Sequence, residues 1–191
     1  MPFYGYIVLA VGYLLWLTAF LFAQRTAQPA KHVDKRARWG IALVAAGFAL
    51  LWQGQFWQRP LQRWRLALSV AFFLLAALLS WTGTRALGRQ WRIDAGLNAD
   101  HELITSGPYR YVRHPIYTSM LCVLCATGVL LTPWWLFLPA IVLFICGTEI
   151  RVRTEENLLA PQFGERFAEY KRRVPAYIPF SKLRVSRPSL S

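Results

Sequence analysis

Five stretches of this chain carry no Asp, Glu, Lys, Arg or His, and they constrain its fold more than any other feature. They are Phe3–Phe22, Gly40–Phe56, Leu66–Thr84, Ile116–Thr132 and Trp134–Thr148. A helix on the surface of a soluble domain keeps a polar face at a period of about 3.6 residues; these blocks keep almost none. A bilayer crossing needs roughly 20 apolar residues. The pattern predicts an all-α, polytopic membrane protein with five transmembrane helices, the last two forming a tight hairpin that turns at Thr132-Pro133. Composition alone would not separate this from a large soluble core, since 55% of the 191 residues are hydrophobic and 16% charged. The aromatic residues at block ends (Tyr4, Tyr6, Trp39, Trp57, Trp64, Trp134, Trp135) suit the headgroup layer. Phe3–Phe22 lacks a basic n-region and a small-residue cleavage site, so it reads as a retained span and not as a signal peptide.

The net charge of +13 would suit a nucleic-acid binder, but its distribution argues against one. With five spans, one face collects Arg25, Lys31, Lys35, Arg36, Arg38, Arg85, Arg89, Arg92, Arg110, Arg113 and every cation from Arg151 onward. The other face has Arg59, Arg63 and Arg65. Such asymmetry places the N-terminus outside and the C-terminus in the cytosol. The basic face also attracts anionic membrane lipids.

The chain reads as one integral-membrane domain, residues 1–191. Three N-terminal spans occupy 1–86. Residues 87–180 supply a cytosolic loop, the hairpin and a charged C-terminal helix from Glu149 to Tyr170, with a break expected near Pro161 and Gly164. Residues 181–191 read as a flexible basic tail. Cys122 and Cys125 have redox or metal spacing, but without a nearby His or third Cys they read as packing residues, and no metal is expected.

Two polar clusters fall on the cationic face. In the first, His101 to Tyr117, Pro115 fits the first turn of a helix, where its missing N–H costs nothing. His114 then stands at the helix entrance, which favours an anion such as a carboxylate, and Gly107-Pro108 turns Tyr109 towards it. The second is Arg151, Arg153, Glu155 and Glu156, with Arg151 and Glu155 on one helical face. Each also suits an ordinary span end with snorkelling cations and surface ion pairs.

The string Leu103-Ile104-Thr105-Ser106-Gly107-Pro108-Tyr109, continuing to Arg113-His114-Pro115-Ile116-Tyr117, resembles the isoprenylcysteine carboxyl methyltransferase family and its phospholipid-methyltransferase relatives. The pattern Arg151-x-Arg153-x-Glu155-Glu156, Leu159, Phe163-Gly164, Tyr170 and Ile178-Pro179 is similar to the family's C-terminal signature. The likeness covers Leu87 to Pro179; the first three spans match only in hydrophobicity. Ser119 is a departure, standing where the family usually has Gly. The resemblance implies S-adenosylmethionine-dependent methyl transfer at the cytosolic membrane surface. It places His101, Leu103, Ile104, Tyr109, His114 and Glu155 at the cofactor, with Asp94 where some relatives use Gln. Arg151 would face a lipophilic methyl acceptor entering from the bilayer.

These residue types suit that chemistry. The cofactor has a sulfonium, an ammonium and a carboxylate, so its pocket needs both signs of charge, and Tyr109 offers a π face. A carboxylate acceptor needs no base, and Arg151 could align it. A lipid amine must first lose a proton, for which His114, His101 or Glu156 are the nearby candidates. The leading expectation is carboxyl methylation of an isoprenylcysteine-like or other lipophilic acid. Phospholipid N-methylation, a sterol-type NADPH-dependent reductase and a non-catalytic scaffold are the alternatives. The short chain, with no targeting signal recognised, suggests a prokaryotic inner membrane, or the endoplasmic reticulum if the source is eukaryotic.

Overall fold

In a bilayer, backbone N–H and C=O groups find no water, and a helix pairs them within one segment. The computed structural model describes residues 1–24, 32–33, 37–54, 60–91, 96–97 and 102–178, with backbone alone at 24, 32–33 and 96–97. The described helices are α1 (Phe3–Gln24), α2 (Ala37–Leu50), α3 (Arg63–Leu87), α4 (Pro115–Leu131) and α5 (Trp134–Arg173). A two-residue antiparallel ladder pairs β1 (His32–Val33) with β2 (Gly96–Leu97) and ties the first connection to the third. Those connections therefore meet at one end of the bundle.

Helices α1, α3 and α5 are long and apolar enough to cross a membrane. With 14 residues, α2 is shorter, as is α4 with 17. At 1.5 Å per residue they give about 21 and 26 Å, against about 30 Å of hydrocarbon. Of the five transmembrane helices expected, three are thus long enough to cross among the described residues. Prolines bound α4 at both ends, Pro115 and Pro133, and α2 unwinds into a turn at Leu51–Gly54.

The core explains how a short α4 is accommodated: it is the central helix. Its Cys122, Val123, Ala126, Leu130 and Leu131 pack with Leu9 of α1 and Phe73 and Ala76 of α3. Its Leu124 joins Val44, Leu51, Ala140 and Phe144 in a second cluster. Cys122 is therefore a packing residue, and all three cysteines are free. The expected hairpin turns sharply at Thr132-Pro133, yet α4 packs along its length on α3, and α5 on α2.

Glycine sets the α2–α5 contact. A Cβ on Gly40 would lie 2.5 Å from the Gly147 carbonyl oxygen, and one on Gly147 2.6 Å from that of Gly40. Small residues let helices approach this closely in a membrane, where packing replaces the hydrophobic drive. Polar contacts fix the other joints. Arg65 Nε donates to the Val129 carbonyl at 2.7 Å, satisfying a group near the end of α4. Thr132 Oγ1 donates to the Leu51 carbonyl at 2.8 Å. Between α1 and α4, the Tyr13 and Thr127 hydroxyls pair at 3.0 Å and the Trp16 indole donates to Ser119 Oγ at 3.1 Å.

Helix α5 runs unbroken from its apolar half into its charged half until Gly164, where φ is 51°, a conformation glycine adopts freely. The expected break is at Gly164, and Pro161 stays helical. Beyond Arg173 the chain turns back across the start of α4. The amides of Arg113 and His114 donate to the carbonyls of Pro175 and Ala176 at 2.8 and 3.0 Å. Thr118 Oγ1 donates to the Tyr177 carbonyl at 2.9 Å.

Candidate active site

The start of α4 and the charged half of α5 meet because Pro115 ends the preceding loop sharply and α5 continues past the apolar layer. Between them lies a cavity of 530 Å³, inside the ~300–1,000 Å³ range of small-molecule sites. A 3₁₀ turn, Gly107–Arg110, delivers the buried Tyr109 to it. The turn is held from α5, since the Tyr170 hydroxyl donates to the Tyr109 carbonyl at 2.7 Å. His114, at the N-cap of α4, and Tyr117, one turn on, face Arg151 and Glu155 across the cavity.

These four side chains form one network. Arg151 Nε donates to the Tyr117 hydroxyl at 2.7 Å, and that hydroxyl donates to Glu155 Oε1. Arg151 and Glu155 also pair directly at 3.7 Å, and His114 Nδ1 lies 3.7 Å from Glu155 Oε2. The Arg151 guanidinium sits 5.7 Å from the centroid of the Tyr117 ring. Both signs of charge thus line the cavity. Burial, then the negative charge of Glu155, pushes the Tyr109 hydroxyl well above its ordinary pKa, so it stays protonated.

Glu156 faces the other way. Arg113 Nη2 reaches its Oε1 at 2.7 Å, His114 Nε2 lies at 3.4 Å, and Lys171 Nζ pairs with its Oε2. Burial opposes ionisation of this carboxyl. Hydrogen bonds from His114, Lys171 and Arg113, with the Arg113 charge, override that and hold it far below the usual carboxylate range. Arg113 also donates to the carbonyls of Lys171 and Val174. Glu156 is therefore the anchor of the returning segment, and its proton-accepting capacity is committed.

Of the residues expected at the site, Leu103, Ile104, Tyr109, His114, Arg151 and Glu155 all line this one cavity. His101 and Asp94 lie outside the described residues. The segment Pro175–Tyr177 covers the approach to α4, a feature no local sequence signal reveals. Two further groups join the lining. Tyr117 was legible as the residue one turn beyond His114. Trp16, Phe20 and Leu21 of α1, with Ile41 and Val44 of α2, come from blocks too uniformly apolar for any residue to stand out.

The isoprenylcysteine carboxyl methyltransferase (ICMT) family model matches residues 69–161, which includes the 3₁₀ turn, α4 and α5 as far as Pro161. Over this segment the chain is similar to that family. The chain is 33% identical over 147 residues to the cobalt-zinc-cadmium resistance protein CzcN of Cupriavidus metallidurans, covering 61% of this chain and 62% of that one. Identity to protein-S-isoprenylcysteine O-methyltransferase B of Arabidopsis thaliana is 31% over 123 residues, 62% of each chain. Methanethiol S-methyltransferase of Crocosphaera subtropica is 32% identical over 72 residues, 38% of this chain and 27% of that one. The chain thus spans less than two thirds of the length of these relatives.

Proposed function

We propose that the chain is an S-adenosylmethionine-dependent methyltransferase that esterifies the carboxylate of an isoprenylcysteine-like or other lipophilic acid at the cytosolic membrane face. The observation that carries this reading is the lining of the cavity. Its lining combines the polar Arg151, Glu155, His114 and Tyr117 with an apolar set, Trp16, Leu17, Phe20, Leu21, Ile41 and Val44. Helix α1 packs on α3 and α2 on α5, so the apolar set comes from two helices with separate partners. An amphiphile with a charged head and a hydrocarbon tail has that polarity profile.

The lining residues fit the cofactor named by the resemblance. Glu155 and Glu102 suit an ammonium or ribose hydroxyls, Arg151 and His114 a carboxylate. Leu103, Ile104 and Tyr109 suit an adenine ring. When bound, S-adenosylmethionine supplies an electrophilic methyl: the acceptor oxygen gains it, the carbon–sulfur bond breaks, and the carboxylate and sulfonium charges are both consumed. No proton moves, so no base is required. Arg151, steadied by Tyr117, aligns the carboxylate, and the buried surroundings exclude water from it. Glu156, one of the three candidate bases for a lipid amine, is committed to Arg113 and Lys171, which leaves His114 as the described candidate and weighs against amine methylation.

The cation-rich connections that meet at the β1–β2 ladder, and the charged half of α5, are assigned to the cytosol by the positive-inside pattern. A prokaryotic inner membrane remains the proposed location. Calorimetry on detergent-purified protein tests the cofactor: S-adenosylmethionine should bind, and Glu155→Ala and His114→Ala should each weaken binding tenfold or more. No binding by folded wild-type protein would remove this reading. Labelled cofactor offered with a prenylcysteine analogue or with phosphatidylethanolamine then separates the acceptors, and label only in the amine lipid would overturn the carboxylate.

A further inference from the structure

We infer that Trp16, pinned by Ser119, sets the length of hydrocarbon chain that the methyl acceptor can carry. The inference rests on the methyltransferase reading above and deepens it.

The cavity borders a second apolar space. Trp16 of α1, Val44 of α2 and Met120 of α4 line both the cavity and this second groove, which continues between the same helices. The groove is bordered by Tyr13 on α1 and by Phe48, Ala49 and Trp52 from α2 and the turn after it. From Leu21 to Tyr13 along α1, and from Ile41 to Ala49 along α2, the two spaces together cover about 12 Å of helix. The three shared residues are therefore a neck. A short acceptor is held wholly on the charged side of it, whereas a long tail must pass it.

Of the three, Trp16 is the largest, and its ring is fixed from two sides. Its indole N–H donates to Ser119 Oγ at 3.1 Å, and Phe20 meets it edge-on with ring centroids 5.0 Å apart. Ser119 is fully buried and turns its own proton to the Ile116 carbonyl at 2.7 Å, leaving its oxygen for the indole. It stands two residues after Tyr117, so the group that fixes the neck is built on the same helix turn as the polar network. An interhelical hydrogen bond of this kind contributes little to the stability of a membrane protein. That is too little to hold the bundle together, but enough to choose one orientation of a side chain.

The test uses the full chain in nanodiscs, labelled S-adenosylmethionine, and N-acetylcysteines carrying S-butyl, S-decyl or S-hexadecyl chains. Removing bulk at a hydrophobic pocket typically changes discrimination by tens of fold. Trp16→Ala should therefore raise the kcat/KM ratio of the hexadecyl to the butyl compound about tenfold over wild type. Ser119→Ala, which removes the hydrogen bond and keeps the indole, and Trp16→Phe, which removes the bond and part of the ring, should each raise it about threefold. For Ser119→Ala the change should lie in KM for the long acceptor, with cofactor affinity unaltered. An unchanged chain-length profile in folded Trp16→Ala and Ser119→Ala would overturn the neck and leave the methyltransferase reading standing. Cofactor binding without methylation of any member would remove the acceptor class and the neck together. Absence of cofactor binding would remove the enzyme reading itself.

Discussion

Glu155 and Glu156 are neighbours on one helix, yet they belong to different parts of the molecule. Glu155 is partly open to the cavity and shares its oxygens with Tyr117, Arg151 and His114. Glu156 is buried against Arg113 and Lys171, which fasten the segment returning from α5 to the start of α4. His114 stands between them, one ring nitrogen towards each. A charge placed where a ligand can reach it is available for binding, and one surrounded by protein cations is committed to structure. One residue of helical rotation, about 100°, separates the two roles.

The largest expected effect lies on the structural side. Glu156→Gln leaves Arg113 buried without its counter-charge, a change that costs about 3–5 kcal/mol. Thermal unfolding in detergent should show a large loss, while Glu155→Gln should cost about 1 kcal/mol or less. Equal losses would dissolve the distinction between the two glutamates. Acid titration sharpens it. The Glu156 carboxyl is held below its unfolded value of about 4.3, so its contribution is fully present above that pH. It is lost as pH falls towards the folded value. Glu156→Gln should flatten the acid limb of the stability profile.

The next effect lies on the ligand side. Glu155→Gln keeps the shape but removes the charge. Hydrogen bonds to charged groups contribute about 1.5–3 kcal/mol, so S-adenosylmethionine should bind about ten- to a hundredfold more weakly. The same affinity in calorimetry would exclude Glu155 from the cofactor.

Gly40 carries the comparison into the packing. A Cβ there would meet the Gly147 carbonyl oxygen at 2.5 Å and Arg151 Cγ at 2.6 Å. One on Gly47 would meet the Ala140 carbonyl oxygen at 2.9 Å on the same interface, away from the site. Both alanine variants should lose about 1–3 kcal/mol of stability, but only Gly40→Ala should raise the acceptor KM, through displaced Arg151. A matching rise in Gly47→Ala would mean that the interface, and not Arg151, is being measured.

How far the sequence discloses this arrangement depends on whether the partners are local. Arg151 and Glu155 share a helical face at i and i+4, and Pro115 and His114 mark the start of α4, so most of the polar lining was legible. The partners of Glu156 were not. Arg113 is 43 residues away in sequence, and Lys171 lies on the far side of Gly164. The apolar helices were legible as helices because charge is absent from them, and for the same reason their facing residues were not. Trp16 is one aromatic in a run without a polar face. The early end of α2 at Leu50 was hidden too, since the apolar block continues to Phe56 and the tie at Leu51 comes from Thr132, at the turn between α4 and α5.

The smallest effect isolates the joint between the groups proposed for acceptor and cofactor. Tyr117 accepts from Arg151 and donates to Glu155, and Tyr117→Phe removes both bonds while keeping the ring that Arg151 overlies. Arg151 and Glu155 still have their direct contact at 3.7 Å, so the loss should be about 1 kcal/mol, roughly fivefold in kcat/KM. Cofactor affinity should fall less than in Glu155→Gln, because the carboxylate is still present. Full activity would mean that Arg151 and Glu155 act independently, and Tyr117 would then be a packing residue. A stability loss as large as that of Glu156→Gln would be the more damaging result. It would mean that the cavity network also holds α4 to α5, and the division between the two glutamates would disappear.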